Sequence, residues 1–391
     1  MAFNIFKTTP APTVEKKASA AAPVVSFHGS GRAAWSPRDT VSLTKNGFVG
    51  NPVGFRCVKM TSEAVAAVPL RLRDNAHNYT VHPVLNLLKR PNQTQGRADF
   101  FEALIGQLLL SGDGYIEAAS AEEGLPKELY VLRSDRMRVV PGADGWPAAY
   151  EYAVGARRHR FNMQGELKPI LHVKTFHPTD DHYGLSPMQA AATALDVHSS
   201  ACKWSKALLD NAARPSGAII YKGIDGQGTL GSDQYDRLLN EIEMNHSGAR
   251  NAGRPMLLEG GLDWKQMGFS PSDMEFQKTK DSAAREVALA FGVPPMLLGL
   301  PGDNTYANYQ EANRAYFRQT VLPLATKVAS SVAVWLSEYL DEEVELLPDL
   351  DGIPALASER ESQWKRISEA SFLSDAEKRE MLGLPQKTGG V

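Results

Sequence analysis

Between residues 270 and 340 apolar positions recur every three or four residues on both sides of a polar interruption, which predicts two helices joined by a loop. The first opens with Ser270 where an N-cap acceptor belongs, Pro271 where a missing N–H costs nothing, and Asp273 beside the positive helix end. Gly292 stops it, and Pro294 and Pro295 cannot continue it. The second is expected to start at Asn308, with Glu311 three residues on as in a capping box. Pro323 should kink it, because proline lacks the N–H and crowds the carbonyl one turn back. The loop between the two holds Asp303, Asn304, Thr305, Tyr306 and Asn308 but no His or Cys, so it does not read as catalytic.

Upstream, residues 51–68 have a helical period with Phe55, Val58, Val65 and Val68 on one face, ended by Pro69; LRLR then opens a strand. HPVLNLLKRPN reads as a short helix stopped by Pro91, and residues 97–110 as a second, with Phe101, Leu104, Ile105 and Leu108 on one side. SGDG turns the chain into YIEA, and the short strands ELYVL, MRVVP, YEYAV and PILHVKTF follow between Gly, Pro and charged turns. To Phe176 this is one α+β domain. Ser186 then caps a long helix reaching about Ala213, roughly 40 Å at 1.5 Å per residue. Met188, Ala191, Leu195 and Cys202 form its apolar face, and Gln189, Asp196, Lys203 and Asp210 a polar line at seven-residue spacing, the pattern of a helix that packs beside another helix. Residues 217–269 hold a strand, AIIY, a helix, DQYDRLLNEIEMNH, and a hairpin in RPMLLEGGLDWKQMGF, so two long helices bracket a small α/β insert. Past the acidic DEEVE the chain turns helical again, with Trp364, Ile367 and Leu373 expected to be buried and Ser374 capping toward Glu377.

The 391 residues suffice for two or three folding units, and 43% hydrophobic residues suffice for sizeable cores. A net charge of −3 excludes a chain that as a whole sticks to nucleic acid or membrane by charge, while leaving room for DNA to pass nearby. Cys57 and Cys202 fall on separate predicted helices and make neither a disulfide framework nor a metal spacing, which fits a reducing compartment. No uninterrupted apolar run approaches the ~20 residues of a membrane span, and residues to about Trp35 read as a mobile arm.

Three patterns invite a chemical reading. GQGTLG, with Gly226, Gly228 and Gly231, lies between a strand and a helix, and the next strand ends at Glu259, the order of a dinucleotide site. Against it, KGID separates the strand from the first glycine, the helix opens Ser-Asp, which repels phosphate, and no second such unit exists; a polar loop is the plainer reading. His172, His177, His182, Asp180 and Asp181 crowd one stretch, but Pro178 forces a loop and no i, i+4 helical pair forms, so a solvated loop is favoured over a metal site. Tyr306, Tyr309, Tyr316 and Phe317 are able to stack on bases; packing of Tyr309, Tyr316 and Phe317 in a helix interface is the plainer alternative. Neither a P-loop nor a nucleophile-elbow serine motif is present.

The signatures VPLRL, HPVLNLLKRPN, SGDGYIEA, YGLSPMQAA, ARPSGAI, AFGVPPMLLGL and NYQEANRAYFRQTVLPL occur in one order across residues 53–340. In that order the chain resembles the tailed-bacteriophage portal proteins, in the long non-contractile-tail branch that includes portals of gene transfer particles. The resemblance implies an α+β portal fold, a non-enzymatic ring of usually twelve copies at one capsid vertex of the virion, made in the bacterial cytoplasm, through which double-stranded DNA is packaged and ejected. It implies no cofactor, no metal and no membrane, and as partners the terminase large subunit, a head–tail adaptor protein and the major capsid protein. By position, residues 1–35 are an arm, 36–185 the wing, 186–214 and 270–298 the two stem helices, and 215–269 the clip. Residues 299–308 are the tunnel loop, 309–345 the helix returning to the wing, and 346–391 a helical crown. The tunnel loop puts Pro301, Gly302, Asp303, Asn304, Thr305, Tyr306 and Asn308 against DNA. The alternative from another class is a nucleotide-binding enzyme built on residues 226–231.

Overall fold

Asn51 organises the N-terminal part. The computed structural model describes residues 35–74, 78–119, 124–210, 217–221, 231–246, 262–266, 276–302, 305–340 and 342–384. A short helix, α1 (Thr40–Leu43), runs into a π-helical turn, Thr44–Val49, before α2 (Pro52–Ala67). The buried Asn51 caps α2: its Oδ1 accepts the N–H groups of Val53 at 3.0 Å and Gly54 at 3.2 Å, and its amide nitrogen donates to Ser199 Oγ at 3.0 Å. One side chain thus satisfies orphan helix donors and ties α2 to a distant helix. Cys57, Val58, Thr61, Ser62 and Val65 form the buried face of α2. Phe55, expected on that face, is 45% exposed and leans on Phe48 instead, at a centroid distance of 5.1 Å.

Beyond Pro69 lie β1 (Leu70–Arg73), β2 (Asn78–Tyr79), α3 (Pro83–Lys89), α4 (Arg97–Ser111) and β3 (Asp113–Ala119). Phe101, Leu104, Ile105 and Leu108 of α4 are buried as their period predicts. Gly112 ends α4 at φ 86°, a left-handed turn that glycine adopts without a Cβ penalty. Then come β4 (Glu128–Leu132), β5 (Met137–Pro141), β6 (Pro147–Val154), β7 (Arg157–Asn162) and β8 (Ile170–Lys174). They form two antiparallel three-stranded sheets, β4-β3-β8 and β5-β6-β7. The register sets Val139, Tyr150 and Phe161 side by side, and with Tyr115, Met137 and Ile170 they make a small second core. RRHRFN, which no strand pattern marks, is β7: only Phe161 of its six residues is buried.

Ser186 caps α5 (Pro187–Ala190) by accepting the N–H of Gln189 at 2.9 Å; a break at Ala191 separates it from α6 (Ala192–Asp210). The long helix expected over 186–213 is therefore two helices. Residues 208–270 form a unit of their own, in which β9 (Gly217–Tyr221) pairs antiparallel with β10 (Leu262–Gln266) and α7 (Ser232–His246) lies between them in sequence. In the larger unit, α8 (Phe276–Ala290) packs near α6, with Phe276 stacked on Trp204 at 3.7 Å between centroids. The predicted caps Ser270, Pro271 and Asp273 lie outside the described residues, as do Gly226, Gly228 and Glu259.

A helix of 35 residues, about 52 Å long, then crosses the larger unit: α9 (Tyr306–Tyr316), a π-helical turn at Phe317–Val321, and α10 (Leu322–Leu340). At the place where Pro323 predicts a kink, the helix widens: the Leu322 N–H reaches back five residues to the Phe317 carbonyl. The wider turn accommodates a proline ring that an α-turn would press on a carbonyl. By length and composition this helix is apolar enough to cross a membrane, which a search for uninterrupted apolar runs misses because Ala, Ser and Thr interleave its larger residues. Its apolar side is spent on the core, through Val321, Val328, Val332, Trp335 and Leu336. β11 (Glu345–Pro348) completes the sheet β11-β1-β2, placing buried Leu346 opposite buried Leu72. The chain ends in α11 (Ala357–Ser368) and α12 (Asp375–Met381), the latter with the reciprocal Ser374–Glu377 capping box its sequence predicts. Ile367 is buried, but Trp364 is 38% exposed, its indole N–H directed at Asp351.

Candidate functional site

The segment from Gly292 to Asn308 joins α8 to the long helix of the larger unit, and both of its ends are fixed. Gly292, at φ 64°, terminates α8, and Thr320 Oγ donates to its carbonyl at 2.6 Å from within the π-helical turn. Pro295–Leu298 forms a 3₁₀ turn closed by Gly299 at φ 73°. The guanidinium of Arg285, on α8, then donates to the Pro301 carbonyl. At the far end Thr305 is the N-cap of α9, its Oγ accepting the Asn308 N–H at 3.3 Å. The helix therefore starts at Tyr306, two residues before the expected Asn308: Thr305 and the residue three on supply the cap that Asn308 and Glu311 were expected to supply.

Of the seven residues proposed from sequence, Pro301, Gly302, Thr305, Tyr306 and Asn308 are all exposed, and Asp303 and Asn304 lie outside the described residues. Every residue from Thr305 to Glu311 is exposed, so the first turns of the long helix present all sides to solvent in the single chain. Tyr306 is 78% exposed and its hydroxyl accepts from Gln310 Nε2 at 3.0 Å; Tyr309 is 49% exposed. Tyr316 behaves oppositely: it is buried, it donates to Thr61 Oγ at 3.1 Å, and burial pushes its phenol up to about 12. Tyr316 and Phe317 thus pack between helices, while Tyr306 and Tyr309 face outward. Farther along, Glu359 of α11 lies 3.2 Å from Arg314 Nε and accepts from Arg318 Nε at 3.1 Å, which fastens α11 to the long helix. That hydrogen bond raises the Arg318 guanidinium above its ordinary value. No pattern in the sequence signals the tethers from Arg285 and Thr320, because both depend on where a carbonyl lies in space.

The histidine-rich stretch does not assemble. His172 turns into the protein, its Nε2 2.9 Å from Asp113 Oδ1 and its ring stacked on Tyr115, whereas His177 is half-buried and accepts the Thr179 N–H at 3.2 Å. Asp180 accepts the N–H groups of His182 at 2.8 Å and Tyr183 at 3.0 Å, and these bonds hold its carboxyl below the usual range. Among the described residues no three metal-ligating side chains converge. The glycine loop fares no better: the Gly231 N–H, at the start of α7, donates to Gln234 Oε1 at 3.2 Å, and Asp233 sits in the first turn, where an anion would be repelled.

The family description "phage portal protein" matches residues 52–383. This chain belongs to the phage portal protein family. It is 41% identical over 343 residues to a protein of Rickettsia bellii, covering 87% of this chain and 88% of that one. It is 26% identical over 347 residues to the portal protein of Enterobacteria phage HK97, covering 86% and 79%. Among solved structures it is similar to a chain in the neck of an empty gene transfer agent particle computed with C6 symmetry, at 69% identity and a TM-score of 0.73, covering 91% of this chain and 96% of that one. The corresponding chain in the neck of a native particle, computed with C12 symmetry, shares 68% identity at a TM-score of 0.70, over the same shares. The mixed helix-and-sheet fold is that of the family, and the nucleotide-binding reading of residues 226–231 gains no support from it.

Proposed function

We propose that the chain is the subunit of a head–tail connector ring, twelve copies around a channel through which double-stranded DNA enters and leaves a particle. The observation that carries this reading is the 69% identity, over 91% of the chain, to a component of a gene transfer agent neck. The C12 symmetry of the related native neck supports the count of twelve. Such a ring sits at the portal vertex of the virion and needs no catalytic centre of its own. In this reading residues 36–185 are the wing, 186–214 and 270–298 the stem, 215–269 the clip that meets the terminase large subunit and then the head–tail adaptor protein, and 346–391 the crown. The major capsid protein surrounds the ring.

Residues 299–308 line the narrowest part of the channel. What supports this is a segment, exposed at its described residues other than the half-buried Leu300, that is held at both ends, by Arg285 and by the Thr305 cap, and carries no Lys or Arg. A lining whose one charge is the acid of Asp303 lets a duplex slide, whereas each lysine that met a phosphate would add about 0.9 to the salt dependence of binding. Deleting residues 302–306, and separately converting Asn304→Lys, should leave rings intact by electron microscopy while DNA filling or retention falls. If both variants package and retain full-length DNA normally, the loop is only a connector.

A further inference from the structure

The sheet β5-β6-β7 has two unlike faces. One packs the small core through Met137, Val139, Tyr150 and Phe161. On the other, the register pairs Arg138 with Glu151 and Glu151 with Arg160, so these side chains form a row across all three strands, and Arg158 stands on the same face two residues from Arg160. All three arginines are exposed, and the side chains of Arg158 and Arg160 are 71% and 62% exposed. Glu151 lies 4.0 Å from Arg158 and 3.9 Å from Arg160, too far for hydrogen bonds, and no ion-pair partner of Arg138 occurs among the described residues. One carboxylate therefore faces three guanidiniums, in a chain whose net charge is −3.

Charged residues on a sheet edge commonly guard against strand-to-strand aggregation, and β7 is an edge. That role needs charge only along the edge. Here the row continues through β6 to Arg138, on the opposite edge strand, and it is built from arginine, whose planar fork matches phosphate. The two-residue repeat from Arg158 to Arg160 spans about 6.7 Å, about twice the 3.4 Å of helix axis that each phosphate of one strand occupies. Because the opposite face is packed, the backbone that carries the row is held in place.

We propose that this face binds the phosphate backbone of double-stranded DNA, through Arg138, Arg158 and Arg160, without reading base sequence. The inference rests on the reading of the chain as part of a DNA-carrying particle, and it assigns DNA contact to a second surface, distinct from residues 299–308. The loop, which has no positive charge, lets DNA slide; the arginine row holds it.

The test uses full-length protein, a random-sequence duplex and a salt titration. Replacing all three arginines with glutamine (R138Q/R158Q/R160Q) should reduce the slope of log affinity against log salt by about 2.7, three contacts at about 0.9 each, with ring formation and thermal midpoint unchanged. The corresponding lysine triple variant should keep the slope. Binding of the glutamine variant with the parent slope overturns the proposal. So does loss of rings in that variant, which would make the row a subunit contact. Arginine-dependent capture of a polyglutamate peptide in place of the duplex would overturn it too, by assigning the face to an acidic protein segment. Failure of the parent protein to form rings under any condition would sink the connector reading instead, and arginine-dependent duplex binding by the unassembled chain would still uphold this one.

Discussion

Asp113→Ala is expected to lower the free energy of unfolding by about 3–5 kcal/mol. The Asp113 Oδ1 atom accepts from His172 Nε2 at 2.9 Å and from the Gly184 N–H at 2.8 Å, with both side chains of the pair only 7% exposed. His172 is stacked on Tyr115 at 4.2 Å between centroids, and its other nitrogen lies 3.2 Å from the Tyr150 hydroxyl. Alanine leaves two buried donors without an acceptor, and buried polar groups cost most when one partner is removed and the other stays. Asp113→Asn keeps an acceptor and should lose roughly half as much. Denaturant unfolding at one fixed protein concentration, with a cycle through His172→Gln, measures this. A loss below about 1 kcal/mol for the alanine variant, or additivity in the cycle, would show that the cluster does not tie β3 to β8 as described.

The second large effect is one of sign. Glycine to alanine inside a helix ordinarily stabilises by about 0.5–1 kcal/mol. Gly106→Ala in α4 should do so, because nothing lies within 4 Å of the added methyl. Gly54→Ala in α2 should instead cost about 3 kcal/mol. Its Cβ would stand 2.1 Å from the Gly47 carbonyl oxygen and 3.1 Å from Leu195 Cδ2, and Gly47 itself has no room to retreat, since a Cβ there would meet Met188 Sδ at 2.5 Å. Thermal midpoints of the two variants should therefore move in opposite directions. A gain for Gly54→Ala would mean that α2 and the π-helical turn at Thr44–Val49 separate without loss.

How much of this was legible in the sequence depends on whether the deciding interaction is local. The helix at Arg97–Ser111 is legible because its burial is its period: Phe101, Leu104, Ile105 and Leu108 are spaced to lie on one face, and that face is the buried one. The capping box at Ser374 and Glu377 is legible because both partners lie within one turn. β11 is not, because ELLP is short and its partner is far away; Arg73 meets Glu345 across 272 residues. β7 hides behind its charges, since a strand with one solvent face and an open edge needs a single apolar anchor, Phe161. The family is legible in the ordered signatures from Val53 to Leu340, and the match over residues 52–383 agrees with it. That a loop stands between the two helices is legible as well, although the long helix begins at Tyr306, inside the expected span of 299–308. What holds that loop is not: Arg285 and Thr320 read as ordinary polar positions until their targets, two backbone carbonyls, are seen beside them.

The π-helical turn at Phe317–Val321 also has a consequence for residue counting. A π turn holds one more residue than the α turn it replaces, so the long helix contains an insertion that never became a loop. Removing a single residue there, such as Gln319, would let the helix close into an unbroken α-helix, and because the wide turn already absorbs the extra residue, α9 would keep its orientation relative to α10. Tyr316 would stay on Thr61, Arg314 beside Glu359, and Tyr306 and Tyr309 would keep their outward faces. The same deletion made within the regular turns of α10 has no such slack: it would turn α9 by about 100°, and in a ring that rotation would be repeated in every subunit at once.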